Sequence, residues 1–217
     1  MSVFFTRRGA VPNIQKLSDY AEGDIVLIPE NGVPVEFYVA KHDYESGLNG
    51  VGRTLLVRKD CYDQRKWHSA SGNTYANSAI DNWLNNDYKR LFDTNVKNAI
   101  GTTNFYYNQG KSTNTVTALS RSVFLLSVTE FGGSESYAKK EGSALPIASI
   151  LKTAYYNGSL VNQWTRTPYG SDSYNTYFLN TSGSFTYATG NGSQHGSRPC
   201  FTIPATTRFD SETNVIL

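Results

Sequence analysis

A 26-residue segment that carries almost no charge limits the architectures open to this 217-residue chain. Residues 169–194 contain five Ser, four Thr, four Tyr, four Gly and three Asn, and Asp172 is their single charged residue. Short apolar alternations survive at 174–179 and 184–188, and such alternation is typical of half-buried strands. The segment therefore predicts small strands or hairpins joined by polar loops.

Apolar runs and turn signals predict more strands elsewhere in the chain. Asn31-Gly32 separates two alternating runs within 23–41 and predicts a hairpin, because this dipeptide favours the turns that connect two-residue hairpins. Further strands are expected at 53–57, 122–128, 160–165 and 200–203. Of these, 122–128 is expected to be a central strand buried on both faces, while the polar stretch 106–117 is expected to be a loop.

Helical periodicity is concentrated between residues 77 and 100. Asn77 or Ser78 is a candidate N-cap, and the polar residues 85–87 are expected to divide the stretch into two short helices. Another short helix is predicted at 147–156. Together these patterns indicate one α+β domain over 23–217, with short helices and a loop-rich, strand-rich C-terminal half, preceded by an N-terminal segment over 1–22.

Composition excludes several classes of protein. The net charge is +2, and no Lys/Arg cluster indicates a nucleic-acid interface. No apolar run approaches the 18 residues of a membrane-spanning helix, so no membrane span is expected. The two cysteines, Cys61 and Cys200, show no CxxC spacing; two free buried thiols are the favoured interpretation, and a single disulfide is the alternative.

The chain lacks the usual signals of an active site. His42, His68 and His195 lie in unrelated contexts, and no HExxH, GxSxG or phosphate-binding loop motif is present. We therefore predict no catalytic residue, no metal ligand and no cofactor.

The polar segment instead predicts a binding surface. Tyrosine offers large, rigid contact area while Ser, Gly and Asn offer adaptable hydrogen bonds, a combination typical of antibody paratopes. Tyrosine rings are expected to stack on the ligand and the polar side chains to hydrogen-bond it. The alternative is an ordinary polar loop region without a ligand. The predicted contact residues are Tyr169, Asp172, Tyr174, Asn175, Tyr177, Asn180, Tyr187, Asn191, Gln194 and His195.

Two motifs border this segment, Gln163-Trp164-Thr165-Arg166-Thr167-Pro168 before it and Gly196-Ser197-Arg198-Pro199 after it. A guanidinium can donate to several backbone carbonyls at once. We therefore predict structural roles for Arg166 and Arg198 at the two bases of the segment, together with Trp164. An anionic ligand bound by the two arginines is the alternative.

These motifs, with upstream runs at 77–85 and 123–130, resemble a domain of unknown function from phages and gut Firmicutes that is marked by Trp-Leu-Arg-Ser-Pro-like and Gly-Val-Arg-Pro motifs. The resemblance covers roughly residues 20–205. Proteins of this kind resemble C-type-lectin-like folds of the formylglycine-generating-enzyme type, several of which are variable proteins of diversity-generating retroelements. The resemblance thus implies a C-type-lectin-like fold, with 169–195 as a diversified patch. The paired active-site cysteines of the formylglycine enzymes have no counterpart in Cys61 and Cys200, so that activity is not expected.

The function implied is that of a receptor-binding protein of a phage or prophage, on the tail or surface of a virion, or in the bacterial cytoplasm before assembly. Residues 3–9 resemble the start of phage structural proteins, which implies that 1–22 attaches the chain to the virion. The implied partners are a bacterial surface protein or glycan and other virion proteins, and a homo-oligomer is compatible with this role. The alternatives are an oxidase or glycan hydrolase on the same scaffold, and a purely structural virion protein.

Overall fold

A computed structural model describes residues 14–111, 113–213 and 215–217 of the chain. It contains 36% strand and 14% helix, with 15 strands and 3 short α-helices in the described residues. The predicted α+β, C-type-lectin-like fold is therefore wrong, and the protein is mostly β. One reason is that segments expected to be loop or helix contribute strands or single turns instead.

The strands are β1 (Ile14–Lys16), β2 (Ile25–Glu30), β3 (Val33–Lys41), β4 (Arg53–Arg58), β5 (Asp63–Arg65), β6 (Thr103–Asn108), β7 (Val116–Arg121), β8 (Tyr155–Tyr156), β9 (Ser159–Leu160), β10 (Gln163–Pro168), β11 (Asn175–Leu179), β12 (Phe185–Thr189), β13 (His195–Ser197), β14 (Cys200–Pro204) and β15 (Arg208–Asp210). The α-helices are α1 (Ser46–Asn49), α2 (Ala79–Asn86) and α3 (Thr94–Ala99), and 3-10 turns lie at Leu17–Asp19, Tyr88–Leu91 and Ile150–Lys152.

Two sheets form the body of the protein. One has five strands in the order β12-β11-β10-β13-β5, and the other has four in the order β14-β4-β3-β2. Strands β10 and β13 are parallel, and the remaining neighbours in both sheets are antiparallel. The pairs β1-β15, β6-β7 and β8-β9 complete the architecture of the described residues.

Local turn and cap chemistry was predicted correctly. The β2–β3 hairpin closes through Asn31 and Gly32, which both have positive φ angles of 50° and 78°, as this tight turn requires. Ser78 is the N-cap of α2, and its Oγ accepts a hydrogen bond from Asp81 N at 3.2 Å. Helix α2 ends at Asn86 and helix α3 begins at Thr94. The predicted division of this stretch into two short helices is therefore confirmed.

The prediction of a loop over 106–117 is wrong at both ends of that range, which belong to strands. Strands β6 and β7 form an antiparallel hairpin, with the loop confined to 109–115. Phe105 and Tyr107 bury one face of β6, and this aromatic burial stabilises strand pairing in an otherwise polar sequence. The predicted helix at 147–156 is likewise reduced to the 3-10 turn Ile150–Lys152.

Residues 123–128 of the predicted strand 122–128 are buried as predicted, but the segment does not form a strand. Phe124 makes one isolated bridge to Cys200 of β14. Side chains supply other backbone partners: Arg166 donates to Leu125 O, and Thr167 Oγ1 accepts from Val128 N. Arg166 N of β10 also donates to Leu126 O at 2.9 Å, so side-chain and backbone groups together satisfy this buried segment without a regular ladder.

The predicted N-terminal attachment segment overlaps the domain. Residues 1–13 lie outside the described residues. Within 14–22, strand β1 pairs with β15 and Leu17 is fully buried, so this part packs on the body of the protein.

Both cysteines are free and buried, which confirms the favoured interpretation. Burial raises the pKa of Cys61 to about 12. Such thiols stay protonated near neutral pH and are poor nucleophiles.

Candidate functional site

The polar segment forms the β11–β12 hairpin at one edge of the five-stranded sheet. Tyr177 and Tyr187 are direct cross-strand partners in this hairpin. Its turn is organised by Asn180, whose Oδ1 accepts hydrogen bonds from Ser182 N and Ser184 N, both at 3.0 Å. Asn180, predicted to contact a ligand, therefore uses its side-chain oxygen to hold the turn.

A groove of about 260 Å³ lies against this hairpin. Three predicted contact residues line it, namely Tyr169, Tyr177 and Tyr187. The other lining residues were not predicted: Glu135, Ser136, Tyr137, Phe185 and Thr186. We call this site the tyrosine groove.

The four tyrosines of the groove contact one another in two orientations. Tyr169 and Tyr187 are stacked, with ring centroids 3.9 Å apart and an interplanar angle of 17°. Tyr137 and Tyr177 each meet Tyr169 edge to face, at centroid distances of 5.1 Å and 5.5 Å. Tyr137 and Tyr187 are 52% and 48% exposed, whereas Tyr177 is 3% exposed and forms the base of the groove.

Two glycines bring the loop containing Tyr137 to the hairpin. Gly170 N donates to Tyr137 O at 2.9 Å, and a Cβ at Gly170 would lie 2.6 Å from that oxygen. A Cβ at Gly133 would overlap the Phe185 ring. Only glycine permits both close approaches, so one wall of the tyrosine groove depends on them.

The sequence contains only a weak signal for the wall formed by residues 135–137, which was not predicted. Tyr137 is the single aromatic residue in the Gly/Ser/Lys-rich stretch 132–144. Its position there does not indicate which surface the loop contacts, because the deciding hydrogen bond joins residues 33 positions apart.

Asp172 and Asn175 stabilise the loop that precedes β11. Asp172 Oδ1 accepts from Tyr174 N and Asn175 N at 2.9 and 2.7 Å, and its Oδ2 accepts from Asn175 Nδ2 at 2.6 Å. Asn73 Nδ2 donates to Tyr169 O and Asp172 O and anchors the same loop from outside. These contacts give both predicted contact residues a role in loop conformation, while Tyr174 beside them is 48% exposed.

Asn191 and Gln194 lie in the loop between β12 and β13, outside the lining of the tyrosine groove. Gly190 at the start of this loop accepts hydrogen bonds from Trp67 N and His68 N. Gln194 is exposed and Asn191 is partly exposed.

His195 is partly buried, packs against two aromatic side chains and does not line the tyrosine groove. Its ring lies 4.4 Å from the Trp164 ring and 4.0 Å from the Phe178 ring, measured between centroids. Burial lowers the pKa of His195 to about 4, so the imidazole is neutral at pH 7.

Arg166 of β10 lies at the centre of a buried polar cluster. Its Nη1 donates to Glu130 Oε2 at 2.5 Å and to Leu125 O at 2.8 Å, and its Nε donates to Tyr106 O at 3.0 Å. Glu141 Oε1 lies 3.8 Å from Nε. Arg166, Glu130 and Glu141 are all fully buried, so this cluster belongs to the core.

The two glutamates of this cluster are also held by hydroxyl groups. Tyr44 donates to Glu130, and Thr167 donates to Glu141. One guanidinium faces two carboxyls, and burial raises the pKa of Glu141 to about 7 although the charge of Arg166 opposes the shift. A proton on Glu141 makes the buried trio electrically neutral.

Arg198 and its neighbours join β13 to other segments. The Arg198 guanidinium donates to four backbone carbonyls, those of Arg58, Lys59, Leu151 and Thr153. Gly196 lies so close to Cys61 that a Cβ would overlap the Cys61 sulfur. Trp164 is buried and its Nε1 donates to Arg65 O at 2.8 Å. The motif residues thus make internal contacts, and Arg166 and Arg198 point into the core.

A family model described as Domain of unknown function (DUF6273) matches residues 51–205. The chain belongs to this family. The match contains both arginine motifs and every residue that lines the tyrosine groove. Strands β1 to β3 precede the matched range, although β3 pairs with β4 in the same sheet as the DUF6273 residues. No curated protein and no solved structure matches the chain.

Two further properties concern the described part of this DUF6273 protein. Within residues 14–111, 113–213 and 215–217, no group of three or more His, Cys, Asp or Glu side chains could hold a metal ion. The same residues contain no helix long and apolar enough to cross a membrane.

Proposed function

We propose that this DUF6273 protein is a receptor-binding module that contacts a protein or glycan of a bacterial surface through the tyrosine groove and Tyr174. The observation that carries the proposal is the group of tyrosines at one edge of the five-stranded sheet. Three of them, Tyr137, Tyr174 and Tyr187, are about half exposed. Tyrosine is enriched in binding surfaces because its ring is apolar and its hydroxyl forms hydrogen bonds.

The surrounding structure supports a rigid binding surface. Ring contacts fix the groove tyrosines against one another, and the Gly170–Tyr137 hydrogen bond fixes the second wall. Little side-chain freedom is then left to lose on binding, and this lowers the entropic cost of the complex. Tyr174, Asn191 and Gln194 extend the proposed contact surface beyond the groove.

The proposal includes the origin and display of the protein. The module belongs to a phage or prophage and is attached to the tail or another part of the virion. Several copies on one particle multiply a modest affinity through avidity. The Tyr/Ser/Asn-rich composition of 169–194 supports a patch that varies between virions.

Binding to intact cells tests the main proposal. The full chain, fluorescently labelled, is incubated with a panel of gut Firmicute cells and compared with the Tyr174→Ala/Tyr187→Ala variant. We expect binding to at least one strain and a loss of at least about tenfold in the variant, because aromatic anchors carry much of an interface's energy. The matched control is Tyr155→Ala, which removes a 45% exposed tyrosine from the separate β8–β9 hairpin.

Equal binding by the wild type and the Tyr174→Ala/Tyr187→Ala variant would exclude this surface. Deep sequencing of the gene in a natural population tests the diversified patch separately. We expect substitutions to concentrate between Trp164 and Arg198 and to start mostly from adenines. A uniform distribution along the gene would contradict diversification and leave a fixed binding domain.

A further inference from the structure

We propose that the tyrosine groove binds an organic cation, with an alkylammonium group of the ligand held against the tyrosine rings beside Glu135. This inference rests on the proposed binding function and names the ligand class for the same groove. The proposed receptor is a surface protein or glycan. The cation site adds that this receptor carries a positive charge at the point that enters the groove.

The rings of the groove have the arrangement that an organic cation needs. The faces of aromatic rings carry partial negative charge and attract cations within about 6 Å of the ring centroid. Tyr137 lies at 63° to Tyr169, and Tyr177 lies at 70° to it and at 85° to Tyr187. These rings contact one another and line one groove, so a cation that enters it meets aromatic surface from more than one residue.

The charge of the lining favours the same ligand. Glu135 is the single charged residue among the eight that line the groove, and no Lys, Arg or His is among them. Burial, followed by the nearby charge of Glu135, raises the pKa of Tyr177 to about 12, so this phenol is neutral at pH 7. The lining therefore carries one negative charge, which attracts a cation and disfavours an anionic ligand.

The size of the groove fits a small group of a larger ligand. Its volume of about 260 Å³ lies below the roughly 300–1,000 Å³ of pockets that enclose drug-sized molecules. The groove is open on one side through the exposed Tyr137 and Tyr187. A terminal ammonium group can enter while the remainder of the ligand stays outside.

A pair of probes of equal shape isolates the charge. The dissociation constants of choline and of its neutral isostere 3,3-dimethyl-1-butanol are measured with the full chain by NMR titration at low ionic strength. We expect choline to bind at least about tenfold more tightly, since several rings and one carboxylate act on the cation alone. Equal affinities for the two probes would overturn the inference.

Two variants then assign the effect to the groove. We expect Glu135→Gln to weaken choline binding about three- to tenfold without changing the affinity for the isostere. We expect Tyr187→Ala to weaken choline binding by about tenfold. The matched controls are Glu212→Gln, an exposed glutamate outside the groove, and Tyr155→Ala; both should bind choline as the wild type does.

The outcomes separate this inference from the proposed function. Cell binding that depends on Tyr174 and Tyr187, combined with no preference for choline over the isostere, overturns the cation and leaves the receptor-binding proposal intact. A preference for choline that Glu135→Gln leaves unchanged also overturns the inference, because the cation then binds elsewhere. A choline preference that is lost in Glu135→Gln supports the cation site, even where the cell-binding experiment excludes the receptor.

Discussion

Strand β10 and the β11–β12 hairpin are neighbours in one sheet, yet they use polar residues in opposite ways. All six residues of β10 are buried, and its Arg166 and Thr167 contact the buried carboxyls Glu130 and Glu141. On the hairpin, by contrast, Tyr187 is half exposed. One region is a buried polar cluster, and the other exposes a tyrosine at the surface.

The difference shows where the arginines of the two sequence motifs act. Arg166 and Arg198 make the motifs recognisable, but their guanidiniums donate to groups inside the protein. The proposed ligand contacts depend on the tyrosine groove, whose residues lie outside both motifs. The two arginine motifs therefore indicate a scaffold, and the proposed ligand is inferred from the hairpin and the loop beside it.

The largest expected effect comes from Arg166→Met. This change leaves Glu130 and Glu141 in the core without a positive partner, and breaking a buried ion pair in this way costs about 3–5 kcal/mol. The free energy of unfolding, measured by urea denaturation at pH 7, should fall by that amount. Arg90→Met is the control, because Arg90 is 76% exposed. A loss below about 1 kcal/mol would contradict the contrast between core and surface.

A smaller effect on the free energy of unfolding is expected when Glu141 loses its proton. Its folded pKa of about 7 exceeds the unfolded value of about 4.3, so the folded state binds more protons between these values. The stabilisation is complete below about pH 4.3 and is lost as the pH rises through 7. Relative to Glu141→Gln, the unfolding free energy of the wild type should fall by on the order of 3 kcal/mol between pH 4.5 and pH 7.5.

Parallel pH profiles for the wild type and Glu141→Gln would show that Glu141 does not titrate in this range. The measurement is urea denaturation at closely spaced pH values. Any other carboxyl with a raised pKa would change the unfolding free energy of both proteins equally with pH. The difference between the two profiles therefore reports Glu141 alone.

The smallest effect on stability is expected from Tyr174→Ala/Tyr187→Ala. Replacing Tyr187 removes its stacked contact with Tyr169 and its edge contact with Tyr177, and such aromatic pairs are worth about 0.5–1.5 kcal/mol, while Tyr174 is half exposed. The melting temperature should fall by only about 2–4 °C while binding is lost. Tyr177→Ala is the informative contrast, because Tyr177 is buried and should cost about 3–5 kcal/mol. Similar losses in the two variants would show that the exposed tyrosines also support the fold.

Structure determined by near neighbours in the sequence was predictable. The Asn31-Gly32 hairpin, the Ser78 cap and the β11–β12 hairpin all follow from turn, cap and alternation rules that act over a few residues. The segment 122–128 could not be assigned in this way. Its burial follows from its apolar residues, but Arg166 and Thr167, about 40 positions away, supply its backbone partners.

The candidate site shows the same limit. Composition identified the tyrosines of 169–194 as a group, and Tyr169, Tyr177 and Tyr187 do line one groove. Composition could not separate Tyr187 at the surface from Tyr177 beneath it, because cross-strand partners share a face and only packing decides their exposure. The composition of 169–194 also could not identify Glu135 and Tyr137 as part of the site, because they lie in a different segment of the chain.

The hydrogen bond from Gly170 to Tyr137 joins two walls of the tyrosine groove that come from separate segments of the sequence. One wall comes from the polar 169–194 segment, and the other comes from 135–137. Mutation in the hairpin can therefore change the outline of the groove while Glu135 preserves its charge. If the groove binds the proposed cation, variants with a changed hairpin can accept ligands of new shape and still favour a positive charge.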